Sequence, residues 1–304
     1  MLTKKQIQDI ANEATLAINI SDSDLLEFCI LANDCYRSGS PIVTDEIYDF
    51  IFIPELQKRL PNHPFLQKVE SESEGFSDEK IKLPEKMLST DKAYTWGEIE
   101  KWLERILKFS EEINMQLSEI QIKGTAKLDG FAGYDDGKKL YTRGDGNKGS
   151  DISRVFQRGL GILNDSERGQ GPGEIVVKRS YFEDHLSNDF EYPRNFQASL
   201  IKEKELDKFA RDAIDAKAAL FVPFKQLPFW KGNIDEFKNQ FLDIVSKLEE
   251  GVDFDIDGVV FEIVNPELKE FMGSNRKFHR WQIAYKENKE KAQVKVISVT
   301  AQVG

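Results

Sequence analysis

The chain has 304 residues, of which 40% are hydrophobic and 31% charged, and its formal net charge is −11 at pH 7. This length suffices for two domains, and the composition is typical of a soluble globular protein rather than of a disordered or membrane-spanning one. An acidic chain cannot grip nucleic acid over a broad face unaided, so a DNA substrate would need further binding surface. The absence of an apolar signal segment and of a cysteine-rich zinc pattern predicts a cytoplasmic protein without membrane contact.

The first 70 residues predict a small helical module. Apolar residues recur at helical spacing over 4–17, and polar residues at 21–24 suit the N-terminus of a second helix that runs toward Tyr36. A break at 38–41 ends that helix, and a third helix is predicted to begin near Thr44. Spacings of three and four residues place Asp45, Tyr48 and Asp49 on one face of it.

An acidic stretch at 71–80 has no periodicity and predicts a linker, so we divide the chain into 1–75 and 76–304. An amphipathic helix is predicted over 96–106, and from position 120 onward strand signals dominate. The sequence therefore predicts an α+β protein, with a small N-terminal helical module followed by a domain of antiparallel sheets flanked by helices.

The run Lys-Leu-Asp-Gly at 127–130 suits a nucleophilic amine at the end of a strand, although an isolated match is more typical of a solvated surface pair. A free lysine has a pKa of about 10.4, so a nucleophilic Lys127 must be desolvated or placed near cations. We therefore expect positive charge beside it. A second polar run, at 142–146, contains Arg143 and follows a predicted hairpin whose turn lies at 135–137.

Together these motifs resemble NAD-dependent DNA ligases, from the N-terminal Ia module through the adenylation domain. Matching segments occur in the family's order at 35–49, 84–94, 127–130, 142–152, 173–176, 193–195, 255–260 and 280–286. The resemblance covers nearly the whole chain. It implies an ATP-grasp-like nucleotidyltransferase domain, NAD and Mg²⁺ as cofactors, and a role in DNA replication and repair.

The resemblance implies that Lys127 attacks the α-phosphate of NAD, forms a lysyl-AMP intermediate and releases nicotinamide mononucleotide before a nick is sealed. Tyr36, Asp45, Tyr48 and Asp49 are expected on the nicotinamide mononucleotide side. The other expected cofactor-binding residues are Ser89, Thr90, Thr125, Asp129, Gly130, Arg143, Glu174, Arg194, Asp257, Arg280 and Lys286.

Charge stabilisation explains why these residue types suit the reaction, because attack on phosphorus creates negative charge around the phosphate. Lys286 and Arg143 are the cations expected nearest the phosphate or ribose, and Arg194 is expected in a loop that faces the nucleotide. Glu174 and Asp257 are carboxylates that suit ribose hydroxyls or help to place Mg²⁺. No residue is assigned as a direct metal ligand.

Three positions depart from the family pattern. Thr125 stands where the family has a glutamate that reads the adenine, and Cys35 replaces the first aromatic residue of a pair. Glu262 replaces a lysine that contacts the AMP phosphate in the family. A carboxylate about 5 Å from a phosphate, at an effective dielectric constant of about 20, opposes binding by about 3 kcal/mol. We therefore expect Glu262 to turn away, to be bridged by a cation, or to slow adenylation.

The segment 294–303 alternates like the entry to a further β domain. In the family an oligonucleotide-binding (OB) fold begins here and DNA-gripping modules follow. We expect a chain cut at a domain boundary or the first subunit of a split, phage-like ligase, with nicked DNA and a second chain or a C-terminal region as partners. Two alternatives stay open: an ATP-dependent DNA or RNA ligase, and a catalytically silent ligase-like subunit.

Overall fold

The computed structural model describes residues 2–37, 41–44, 47–67, 80–203, 205–275 and 277–287. Its N-terminal unit is helical, as predicted. The predicted helix over 4–17 ends early because Glu13 leaves the helical conformation, with φ −131° and ψ 78°, and a 3₁₀ turn (Ala14–Ile18) follows. The Ser21 hydroxyl accepts the backbone N–H of Asp24 at 3.1 Å, which confirms the predicted start of the second helix. The helices of this unit are α1 (Lys4–Asn12), α2 (Asp22–Arg37), α3 (Ile53–Arg59) and α4 (Pro64–Gln67).

A π-helical turn (Tyr48–Phe52) leads into α3 and carries Asp49. The Thr44 hydroxyl accepts the backbone N–H of Ile47 at 3.3 Å, so Thr44 caps the described helical residues that begin at Ile47. Such single π turns are frequent at functional sites because they re-aim one side chain. Asp49 is accordingly buried, with 3% of its surface exposed. Asp45 lies outside the described residues, as does the predicted linker apart from position 80.

The second unit contains two five-stranded sheets and one short strand pair. Its strands are β1 (Ile81–Lys82), β2 (Ser89–Ala93), β3 (Gln121–Leu128), β4 (Phe131–Asp135), β5 (Leu140–Thr142), β6 (Lys148–Gly149), β7 (Gly161–Ile162), β8 (Gly171–Val177), β9 (Ala219–Pro223), β10 (Phe229–Asn233), β11 (Ile256–Ile263) and β12 (Phe278–Tyr285).

The first sheet has the order β10-β3-β11-β12-β2 and the second β5-β4-β8-β9-β7. Strands β2 and β12 are parallel, as are β7 and β9, whereas the other neighbours in both sheets are antiparallel. This mixture of helices and antiparallel-rich sheets confirms the α+β class. The predicted hairpin with its turn at 135–137 joins β4 to β5, and β4 is a strand that the sequence reading had not separated from β3.

Two long amphipathic helices cover one face of the first sheet. Trp102 of the first and Phe237 of the second are fully buried in one core with Phe261 of β11. A separate core, which includes Phe196 and Phe221, lies against the second sheet. The helices of this unit are α5 (Trp96–Glu112), α6 (Arg154–Gln157), α7 (Arg179–His185), α8 (Pro193–Lys202), α9 (Lys208–Asp215), α10 (Ile234–Glu250) and α11 (Pro266–Met272).

Strand β3 presents Lys127 on the sheet face opposite the helical core. Ile122, Ala126 and Leu128 are buried on one face, whereas Thr125 and Lys127 alternate with them and are half-buried. This period of two is the ordinary pleat of a strand. The candidate nucleophile therefore faces away from α5 and α10, at the end of its strand as predicted.

The helices that the structure describes include none that is both long and apolar enough to cross a membrane. The segment 294–303, expected to begin a further β domain, lies outside the described residues.

Candidate active site

A chain of alternating charges joins the two units of the protein. Lys127 Nζ lies 2.7 Å from one carboxylate oxygen of Asp257, and Lys286 Nζ lies 2.5 Å from the other. Lys286 also pairs with Asp49, whose second oxygen pairs with Lys92. We refer to these five residues as the lysine–aspartate chain. It brings together side chains from β3, β11, the end of β12, the π-helical turn and β2.

A local bulge explains how Asp257 reaches two lysines. The register of β11 against β3 shifts between Ile256 and Val259, and Gly258 has a φ of +110°. A Cβ atom on Gly258 would lie 2.2 Å from the backbone oxygen of Tyr285, so this close approach of two strands requires glycine. The position of Asp257 therefore depends on a glycine at the next residue.

Backbone pairing fixes Lys286 and Lys92 side by side. The N–H of Lys286 donates to the carbonyl of Ala93 at 2.9 Å, and Lys92 is paired with Ala284 across the parallel strands. The side chain of Lys286 is only 7% exposed. The two ammonium groups are held close together because Asp49 lies between them and accepts from both.

The charged residues of the lysine–aspartate chain shift one another's pKa values. Burial alone would raise the pKa of Asp257, but Lys127, Lys286 and Lys92 outweigh burial and lower it. The pKa of Asp49 is lowered for the same reason, with Lys286 and Lys92 opposing burial. Both carboxylates are thus ionised at neutral pH.

Lys127 shows the opposite of the shift that a nucleophile needs. Burial by itself lowers its pKa, and Lys286 lowers it further, but the Asp257 carboxylate raises it above the usual value. The expected positive charge nearby is therefore present, yet Asp257 dominates. The ion pair with Asp257 therefore favours the ammonium form of Lys127.

Glu174 contacts the turn that follows Lys127. One of its carboxylate oxygens accepts the backbone N–H of Gly130 at 3.1 Å. Burial raises the pKa of Glu174 to about 7, against the smaller lowering effects of Lys127 and Arg194. A Cβ atom on Gly130 would lie 2.3 Å from the backbone oxygen of Ile175, so the turn packs directly on β8.

Asp129 is held by one residue from each unit. Its carboxylate accepts the Tyr36 hydroxyl at 2.7 Å and Arg194 Nη1 at 3.1 Å. The Arg194 guanidinium also donates to the Gly130 carbonyl and lies 4.0 Å from the centre of the Tyr36 ring. Arg194 was expected in a loop, but Pro193 begins helix α8 and places Arg194 in its first turn. Its contacts fix the 127–130 turn and the N-terminal unit together.

A cavity of about 200 Å³ opens between the two units beside this cluster. Both the lysine–aspartate chain and the Asp129 cluster contribute to its wall. Its lining residues are Tyr36, Pro41, Val43, Thr44, Asp129, Tyr192, Pro193, Arg194, Asp255, Ile256 and Asp257.

Several expected cofactor-binding residues make structural contacts. The Tyr48 hydroxyl donates to the Cys29 carbonyl at 3.1 Å. Arg280 Nη1 donates to the Met272 carbonyl at the end of α11, at 3.1 Å. The backbone N–H of Arg143 donates to Ala132 at 3.1 Å. Their roles toward a nucleotide stay predictions.

The expected adenine-side residues lie on the first sheet. Ser89 and Thr90 begin β2, and the backbone N–H of Ser89 donates to the Lys277 carbonyl at 3.0 Å. Thr125 is paired with Val260 of β11, on the strand that carries Lys127. Thr125 lies two positions before Lys127 and therefore faces the same side of the sheet.

Glu262 is neutralised by a cation of its own. Lys269 Nζ lies 3.1 Å from its carboxylate, and the same ammonium is 4.2 Å from the centre of the Trp281 ring. In the β11–β3 register Glu262 is paired with Lys123, four positions before Lys127. A cation therefore contacts Glu262, in line with one of the three expectations, and the effect of Glu262 on adenylation stays a prediction.

Sequence reasoning missed Lys92 and Gln197. Lys92 lies inside a matched segment, but no local pattern distinguishes it from the exposed lysines that are usual in proteins. Gln197 is fully buried on α8 and donates to the Asp129 carbonyl at 3.3 Å. In the sequence, only the spacing of three residues from Arg194 indicates that Gln197 would lie on the same face of a helix.

The described residues contain no group of three or more histidine, cysteine or acidic side chains that would hold a metal ion.

Curated relatives named DNA ligase match most of this chain. The relative from Ruthia magnifica is 59% identical over 285 residues, which is 94% of this chain and 46% of the relative. The one from Vesicomyosocius okutanii is 57% identical over 304 residues, which is 100% of this chain and 48% of the relative. The one from Shewanella baltica is 49% identical over 283 residues, which is 93% of this chain and 43% of the relative. The chain thus spans about half the length of these relatives, and no family model matches it.

Proposed function

We propose that this chain is the adenylating portion of an NAD-dependent DNA ligase and that Lys127 is its nucleophile. The observation that supports this proposal most strongly is the lysine–aspartate chain. Through the shared carboxylate of Asp257 it holds a second lysine, Lys286, close to Lys127. The names of the relatives support a ligase. NAD and the covalent intermediate rest on the resemblance of the motifs.

In the proposed reaction the nitrogen of Lys127 forms a bond to the α-phosphorus of NAD. The bond from that phosphorus to the bridging oxygen breaks, and its electron pair leaves with nicotinamide mononucleotide. The Lys127 ammonium gives up two protons to solvent, one before attack and one after the bond has formed. Lys286 offsets negative charge on the phosphate. Because Asp257 raises the pKa of Lys127, deprotonation requires their ion pair to loosen.

The N-terminal unit favours NAD over ATP as the substrate. Tyr36 and Asp49 reach the second unit, and residues of both units line the cavity beside Asp257. Such a site offers room for the nucleotide half that ATP lacks. An ATP-dependent DNA or RNA ligase is the alternative within the same chemistry. The paired geometry of Lys127 and Lys286 counts against a silent subunit.

Mg²⁺ fits this site only with the help of substrate phosphates. It usually binds one or two carboxylates together with phosphates and water, and Asp257 and Glu174 are the carboxylates that adjoin Lys127. A bound Mg²⁺ would neutralise phosphate charge. We further propose nicked DNA as the eventual substrate in replication and repair, with an OB fold and DNA-gripping parts supplied by a longer chain or a partner in the cytoplasm.

Intact-mass spectrometry tests the proposal after incubation with Mg²⁺ and either NAD or ATP. We expect a gain of one AMP, about 329 Da, with NAD alone, and no gain for Lys127→Ala. A gain with ATP alone would assign the chain to the ATP-dependent alternative. No gain with either, from folded protein that did not already carry AMP, would contradict the proposal.

A further inference from the structure

Lys92 lies at the outer end of the lysine–aspartate chain, in β2. Its side chain is 40% exposed, compared with 26% for Lys127 and 7% for Lys286. It is thus the most accessible of the three ammonium groups. The surrounding protein and the neighbouring Lys286 both lower its pKa.

Asp49 binds Lys92 but does not neutralise its charge completely, because it also binds Lys286. Its two oxygens are divided between Lys92 and Lys286, so one carboxylate serves two cations. Asp257 likewise serves both Lys286 and Lys127. When all three lysines are protonated, their ammonium groups share two carboxylates, which leaves one positive charge in excess. An anion that approaches this face would be attracted to the least enclosed of the three, Lys92.

Strand β11 does not supply a cation beside Asp257. Strand β11 contains no lysine or arginine, and its Glu262 pairs with Lys269. Lys123 of β3 lies 5.2 Å from the centre of the Phe229 ring on the edge strand. Lys92 comes instead from the opposite edge of the sheet, through the parallel pairing of β2 with β12.

We propose that Lys92 is a phosphate-binding residue of this site, and that it supplies beside Lys286 the positive charge that β11 lacks. Its ligand is the pyrophosphate of a dinucleotide, so the inference rests on the proposed function and adds a residue to it. Without substrate, Asp49 holds the ammonium in position. When the dinucleotide binds, a phosphate oxygen accepts from Lys92 in addition.

The test compares Lys92→Gln, Lys92→Arg and a control, Lys101→Gln, on the exposed surface of α5. Glutamine can still donate to Asp49 but lacks the charge, so it separates phosphate binding from support of Asp49. Calorimetric titration of NAD and of inorganic pyrophosphate into each variant, made in the Lys127→Ala protein, measures binding without reaction. We expect both ligands to bind about tenfold more weakly to Lys92→Gln, about normally to Lys92→Arg, and unchanged to the control.

The Asp49→Asn background distinguishes the proposal from a purely structural role. If Lys92 acts only through Asp49, Lys92→Gln will cost nothing further there, and the inference is overturned. A direct phosphate contact predicts a further loss of about tenfold in that background.

Equal binding with and without Lys92, in a chain that wild-type assays show to be adenylated by NAD, would overturn the inference alone. A folded chain that neither binds NAD nor gains AMP overturns both proposals. Thermal unfolding of each variant, compared with the control, verifies that the protein tested is folded.

Discussion

Strand β11 carries an acidic residue near each end, Asp257 and Glu262, and their surroundings differ. Asp257 is 11% exposed and is shared by Lys127 and Lys286. Glu262 is 25% exposed and pairs with one lysine, Lys269. A single shared carboxylate organises the candidate active site, because it holds two cations that would otherwise repel each other. A carboxylate with its own partner is a local surface ion pair.

This comparison shows that the function of an acidic residue here depends on what other elements bring to it. Asp257 is reached by lysines from two flanking strands, whereas Glu262 meets a lysine from the next helix in sequence, α11. Substitution of these two carboxylates should therefore have effects of very different size.

The largest effect is expected for Asp257→Asn. It leaves Lys127 and Lys286 without their shared counter-charge, so the free energy of unfolding should fall by about 3 kcal/mol. The pKa of Lys127 should also fall, because Asp257 is what raises it. Urea denaturation measures the first effect, with Glu262→Gln as the matched control on the same strand.

The acidic limb of the pH profile for single-turnover adenylation measures the second effect. It should move to lower pH in Asp257→Asn, whatever happens to the maximum rate. An unshifted limb would show that Asp257 does not control the protonation of Lys127.

Glu174→Gln should remove a pH dependence of stability. Burial raises the pKa of Glu174 from 4.5 to about 7, so its contribution to stability is fully present below pH 4.5 and is lost as the pH rises through about 7. Relative to wild type, Glu174→Gln should gain about 3 kcal/mol between pH 4.5 and pH 8. Denaturation at both pH values checks this, and parallel curves for the two proteins would refute it.

Asp49→Asn should weaken binding of the nicotinamide mononucleotide half of the dinucleotide more than binding of the AMP half. Asp49 connects the N-terminal unit to Lys92 and Lys286, so its loss should loosen the part of the cavity expected to hold nicotinamide mononucleotide. Measured in Lys127→Ala protein, NAD should bind about tenfold more weakly, whereas AMP should bind within about twofold of normal. An equal loss for both ligands would place Asp49 on the AMP side.

The smallest effect is expected for Glu262→Gln. Because Lys269 already neutralises this residue, adenylation should change by less than about twofold and stability by less than about 0.5 kcal/mol. A rate increase above about tenfold would show instead that Glu262 repels the bound phosphate.

Sequence patterns predicted those parts of the fold that depend on local periodicity and capping. The alternation around Lys127 and the polar start of α2 are examples, because both are decided by nearest neighbours. The early end of α1 and the helical position of Arg194 were missed, since small changes in backbone conformation decide them.

The candidate site was predicted less completely because it depends on pairing across strands distant in sequence. Motifs indicated Lys127, Asp257 and Lys286, but no pattern shows that Asp49 divides its oxygens between two lysines. Lys92 joins the site through the parallel pairing of β2 with β12, which only the structure reveals. The raised pKa of Lys127 likewise follows from the distance to Asp257 and not from the motif.

We expect one lysine of the lysine–aspartate chain, Lys127, to become covalently modified while the other two bind anionic groups. Peptide mapping by tandem mass spectrometry tests this expectation after incubation with NAD and Mg²⁺ and digestion at alkaline pH, which preserves the phosphorus–nitrogen bond. AMP should be found on Lys127 alone. AMP on Lys286 or Lys92, with Lys127 unmodified, would contradict it.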